Sequence, residues 1–123
     1  MDLYKYWEVT AKQDADEIKV FFHENAWVNW HNTNEQFTLE EYIRANCEYP
    51  GRWNAQVERI ERIDDLVISV VRVYSQEEKQ SCHVTSFMRL KDNKIVSLDE
   101  YWGDDGIAPQ WRLEKKIGRM ITP

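Results

Sequence analysis

The stretch LVISVVRVY, Leu66 to Tyr74, decides the fold. β-Branched and aromatic side chains dominate it, and these suit a pleated, packed surface better than a helix. A period of two sets Leu66, Ile68, Val70, Arg72 and Tyr74 on one face and Val67, Ser69, Val71 and Val73 on the other. Apolar residues on both sides predict a strand largely buried on both faces.

The same period continues on either side. Polar residues from Gln76 to Gln80 make a turn, CHVTSFMRL (residues 82–90) alternates again, Lys91 to Lys94 turns, and IVSLDEYW (residues 95–102) is a last strand. Upstream, WNAQVERIERI (residues 53–63) spaces Val57, Ile60 and Ile63 by three, which predicts a bulged or strongly bent strand. The N-terminal half has a different period. Leu3, Tyr6, Trp7 and Thr10 recur at helical spacing. Asp14 with Glu17 marks the cap of a second helical segment, carrying Ile18, Phe21, Phe22 and Ala26 with His23 on it. AWVNWHNTNEQF (residues 26–37) alternates around an Asn-rich turn and predicts a short hairpin. Thr38 to Glu41 is a capping box opening a third helix, which Pro50-Gly51 stops. Three helices followed by four long strands define an α+β chain.

With 123 residues and 42% hydrophobic content, residues 1–123 are expected to form a single domain. The net charge of −6 and the scattered basic residues argue against a nucleic-acid partner. No apolar run approaches membrane-spanning or signal-peptide length, so a soluble, cytoplasmic protein is expected, with no membrane partner. Cys47 and Cys82 stand far apart and outside any CxxC spacing, so they are expected as buried thiols. His23, His31 and His83 form no HxH or HxxxH pattern, and neither a metal nor another cofactor is expected. Six Trp, six Tyr and four Phe are many for this length, and Trp and Tyr carry polar tips that need partners. Such enrichment predicts a cavity or an interface.

FFHENAWVNW, TLEEYIRANCEYPG, DNKIVSLDEYWGD and APQWR resemble segments of small SnoaL-like proteins of the nuclear transport factor 2-like superfamily. The resemblance spans nearly the whole chain. It implies three N-terminal helices packed on a strongly bent antiparallel sheet, forming a cone with a pocket in its open end. It also implies a homodimer across the outer sheet face, for which Val67, Val71 and Val73 supply an apolar set. Ketosteroid isomerases, polyketide cyclases, scytalone dehydratase and limonene epoxide hydrolase share this frame with different catalytic residues. The activity implied is therefore a class, namely an isomerase, cyclase or hydratase working by acid/base chemistry on a small apolar substrate. The alternatives are a noncatalytic small-molecule binding domain and a dimeric interaction module.

Asp99 and Glu100 point to opposite faces of the last strand. Glu100 shares its face with Leu98 and Trp102, and the resemblance to the epoxide hydrolases places an inward carboxylate there. An apolar surrounding would raise its pKa toward proton-transfer range. The bland alternative is an ion pair with Arg72, whose guanidinium interrupts an apolar strand and requires an anion, water or a ligand. His31 and His83 are candidate proton relays, or satisfied structural residues. Trp30, Tyr49, Trp53, Trp102 and Trp111 are the candidate walls and rim for a flat, apolar or aromatic molecule. Trp111 alternatively docks the tail, and Asp104-Asp105-Gly106 is expected as a solvated turn.

Overall fold

A computed structural model describes residues 1–122. Its elements run α1 (Leu3–Ala11), α2 (Ala15–Lys19), β1 (Phe22–Trp30), β2 (Glu35–Thr38), α3 (Leu39–Cys47), β3 (Trp53–Ile63), β4 (Leu66–Ser75), β5 (Ser81–Lys91), β6 (Lys94–Asp104) and α4 (Gln110–Glu114). The six strands make one curved, open sheet in the order β2-β1-β6-β5-β4-β3. The architecture is the α+β arrangement expected, with three helices preceding the long meander.

Two details depart from the expectation. The sheet is mixed, because β1 runs parallel to β6 while every other pairing is antiparallel. The second helical segment is only α2, and Phe22, His23 and Ala26 lie on β1. Apolar side chains three or four apart do not distinguish a helix from a strand with a register irregularity, and β1 has one between Phe22 and Trp27. The bulge expected in the 53–63 strand is present, with a register shift between Val57 and Arg59.

One sheet face meets the helices. Val67, Ser69 and Val71 of β4, Val84, Ser86 and Met88 of β5, and Leu98 and Glu100 of β6 are buried there. Leu3, Tyr6 and Trp7 of α1, Ile18 of α2, and Leu39 and Tyr42 of α3 pack against them. Each aliphatic side chain so buried contributes about 1.5–3 kcal/mol. The capping box of α3 forms as read: Glu41 N donates to Thr38 Oγ1, and Thr38 N donates to Glu41 Oε1. A cap of this kind is worth about 1 kcal/mol. Val67 and Val71 are 1% and 0% exposed, so the apolar set expected at a dimer interface belongs to the core. The outer face of β4 instead carries Leu66, Ile68, Val70 and Arg72, all half-buried. No helix among the described residues is long and apolar enough to cross a membrane.

Candidate functional site

A cavity of about 340 Å³ opens where the last turns of α1 and α3 meet the β1–β2 turn and the ends of β3 to β6. Trp7, Trp30, Tyr49, Trp53 and Trp102 line it. Trp30 and Trp102 stand at 72° with centroids 6.2 Å apart, and Tyr49 and Trp53 at 62° and 5.5 Å, so each pair forms a corner. Local rules fix these rings. Trp7 lies on the buried face of α1, and its Nε1 donates to Ser69 Oγ at 3.2 Å. Trp53 Nε1 donates to Pro50 O at 3.0 Å. That approach needs a glycine at 51: its φ is +101°, and an added Cβ would sit 3.2 Å from Trp53 Nε1. Trp102 Nε1 is buried without a hydrogen-bond partner among the described residues.

Two side-chain amides tie the helix ends that flank the cavity. Gln13, in the left-handed conformation just past α1, donates from Nε2 to Asn46 O (2.9 Å) and Tyr49 O (2.7 Å). Asn46 Nδ2 donates back to Thr10 O at 2.9 Å. Carbonyls at a helix C-terminus lack intrahelical donors, and these amides satisfy some of them. The remaining polar lining is Thr10, Asn32, Thr33, Cys82 and Asp104. Burial, with the charges of Asp105 and Asp104 behind it, pushes the Cys82 thiol up to about 11, so it stays protonated. Asp104 shares a β6 face with Trp102 and reaches the cavity, a role outside the solvated turn expected of it. Asp105 does not; it accepts from Ser81 Oγ and binds His83 Nδ1.

Glu100 lies behind this lining. It is 1% exposed, and the register of β6 gives it a donor from each neighbouring strand. Trp30 of β1 donates Nε1 to Oε1 at 3.1 Å, and Ser86 of β5 donates Oγ to Oε2 at 2.6 Å. Burial pushes its carboxyl up to about 7, against the opposing pull of the bonds from Ser86 and Trp30. Beside it, Tyr6 and Tyr42 share a buried O–H···O bond of 2.8 Å. Burial drives both phenols far above their ordinary value, with the Glu100 charge adding to the effect.

The other acid/base candidates are elsewhere. His31 Nε2 bonds Asp99 Oδ1 at 2.7 Å, and its ring stacks on Tyr101 at 4.4 Å, all on the outer sheet face. His83 is on that outer face too, bridging Asp105 and Glu58. Arg72 donates Nε to Ser81 Oγ at 3.0 Å and lies 4.2 Å from the Tyr74 ring centroid. The grouping of Arg72, His31 and His83 around Glu100 is thus corrected. Side chains one residue out of phase on a strand cannot cross the sheet, and no Arg72–Glu100 ion pair exists. Trp111 is corrected as well: it sits on α4, 56% exposed, and does not line the cavity. Of the expected aromatic wall, Trp30, Tyr49, Trp53 and Trp102 come together. Trp7, Gln13, Asn46 and Asp104 were not singled out for the site. Trp7 lay on a helix face already read as a helical stripe, where nothing marks a cavity instead of packed core. No cluster of three or more His, Cys, Asp or Glu side chains able to hold a metal occurs among the described residues.

Six strands in this order, curved around three helices with a cavity between them, make the nuclear transport factor 2-like fold. A ketosteroid isomerase candidate from Kribbella flavida superposes with a TM-score of 0.78 at 21% identity, covering 95% of this chain and 85% of its own. A nuclear transport factor 2-like protein of unknown function from Burkholderia xenovorans gives 0.78 at 21% identity, with 97% and 91% covered. A candidate SnoaL-like polyketide cyclase from Jannaschia sp. gives 0.67 at 13% identity, with 81% of each chain covered. At these identities the likeness is one of fold. No protein-family model matches the sequence, and no curated protein matches it significantly.

Proposed function

We propose that this chain is a small-molecule pocket protein, and that binding of a compact apolar or aromatic ligand, without turnover, is the role its geometry supports best. One observation carries the reading: four tryptophans and a tyrosine line the cavity, while Glu100, the one deeply buried carboxylate among the described residues, is sealed behind Trp30. Apolar pockets of a few hundred Å³ with few polar groups suit ligands of this class. Flat hydrophobic compounds should therefore quench or shift tryptophan emission saturably, and Glu100→Gln should leave that binding intact. A panel that gives no saturable change would refute the pocket reading.

A second reading, acid/base catalysis by Glu100 on a small apolar substrate, has specific support of its own. Its carboxyl titrates near 7, and Trp30 touches both the carboxylate and the cavity. Proton transfer would need Trp30 to swing aside and expose Oε1. A turnover assay that fell to background in Glu100→Gln, with a pH midpoint near 7, would favour it over simple binding.

We also propose a homodimer across the outer sheet face. Ile68, Val70 and Phe87 lie there half-buried beside Trp27 and Tyr101, which are 48% and 45% exposed. The occupant is a second copy of the chain, presenting the same patch about a two-fold axis.

A further inference from the structure

The cavity has an electrical sign as well as a shape. Among the described residues Asp104 is its one charged lining residue, and no lysine, arginine or histidine of theirs lines it. Among the described residues no cation lies within ion-pair distance of Asp104, although the chain forms such pairs elsewhere at Glu8, Glu48 and Asp65. The last turns of α1 and α3 both face the cavity, through Thr10 and Ala11 and through Ala45 and Asn46. A helix C-terminus carries a partial negative charge, so two of them bias the space in the same direction as the carboxylate. The steeply inclined pairs Trp30–Trp102 and Tyr49–Trp53 add π faces, whose quadrupoles attract cations. An anion would meet three repulsive contributions here, and a neutral hydrocarbon would leave all of them unused.

From this we infer that the pocket takes an organic cation, a quaternary or protonated amine on an apolar or aromatic body, with Asp104 as its counter-charge at the rim and the indole and phenol rings around its alkyl groups. This rests on the pocket reading above and narrows it to a ligand class. The net charge of −6 acts in the same sense at longer range, by raising the local concentration of cations.

The test uses three probes of similar bulk on the intact chain, followed by tryptophan fluorescence and calorimetry: phenyltrimethylammonium, its neutral isostere tert-butylbenzene, and benzoate. The cation should bind about tenfold or more tightly than the isostere, benzoate should bind least, and added salt should weaken the cation alone. Asp104→Asn, a change at an exposed position, should weaken the cation several-fold and leave tert-butylbenzene unchanged. Equal or tighter binding of tert-butylbenzene or benzoate would overturn the inference while leaving a small-molecule pocket in place. Binding of none of the three would overturn both. Cation affinity unchanged by Asp104→Asn would remove Asp104 from the assignment.

Discussion

Trp30 and Glu100 face each other across the parallel β1–β6 pair, and the indole N–H of one donates to the carboxylate of the other at 3.1 Å. One strand further on, Ser86 completes the carboxylate's hydrogen bonding. The neighbouring acid, Asp99, is served in the same way on the opposite face, by Asn29 and His31. Adjacent carboxylates thus have separate partners, and a slip of one residue would exchange them.

The buried carboxyl sets the first expectation. Glu100 titrates at about 7 in the folded chain, against an ordinary value of 4.5. Below the lower value both states hold the proton; as pH rises toward the higher one, the unfolded chain ionises first and folding loses stability, by about 3 kcal/mol in all. Glu100→Gln retains an acceptor for Trp30 and cannot ionise. Its melting temperature should exceed the parent's by several degrees at about pH 8, and the gap should close by about pH 4.5. A variant less stable than the parent at the higher pH would contradict this account of Glu100.

His83 behaves in the ordinary sense for a histidine that gains partners. The hydrogen bond to Asp105, then that to Glu58, holds its pKa above 6.5 against the opposing effect of burial. The stabilisation is therefore complete below the unfolded value and disappears as pH rises through the folded one. Since the side chain is 41% exposed, solvent screening keeps the contribution below about 1 kcal/mol. A nuclear magnetic resonance titration should give an imidazole midpoint above the ordinary value, lowered by Asp105→Asn. A midpoint indifferent to that change would rule out the bridge.

The C-terminal segment is expected to be dispensable for stability. Ile107 is 91% exposed, Trp111 56% exposed, and α4 buries no residue, whereas the sequence suggested a docked tail. Deleting residues 107–123 should move the melting temperature by no more than about 2 °C, because little apolar area returns to water. A drop of about 5 °C or more would mean that the segment covers something in solution.

For the outer sheet face, Val70→Lys places a charge in the centre of the proposed contact without touching the core. Sedimentation at micromolar concentration should give a dimer for the parent chain and a monomer for the variant. A parent chain that is monomeric at that concentration would refute the dimer.

Much of this was legible from alternation alone. The strand from Leu66 to Tyr74 divides its faces as read, and the capping box at Thr38 forms. Alternation does not say which face turns inward, since that depends on what covers the sheet. Val67 and Val71 were therefore placed on the wrong side, whereas Glu100 is buried on the helix-covered face, behind the cavity lining and not in it. His31 follows Trp30 directly, so the two could not share a face, and the same phase rule separates Arg72 from Val71. The parallel pairing of β1 with β6 left no local signal, because register between strands 70 residues apart is set by tertiary packing. Asp104 was hidden for a similar reason: only the converging ends of α1 and α3 turn a strand-end acid into a cavity wall.

The parallel β1–β6 pair also orders events in time. Strands β3 to β6 meet through short turns, so that meander can assemble from local contacts, while β1, paired locally only with β2, must close a loop of about 70 residues before it joins β6. The cavity, which needs Trp30 beside Trp102, exists only after that closure. A bound ligand should consequently slow unfolding with little effect on the rate of folding, because it holds together the contact the chain makes last.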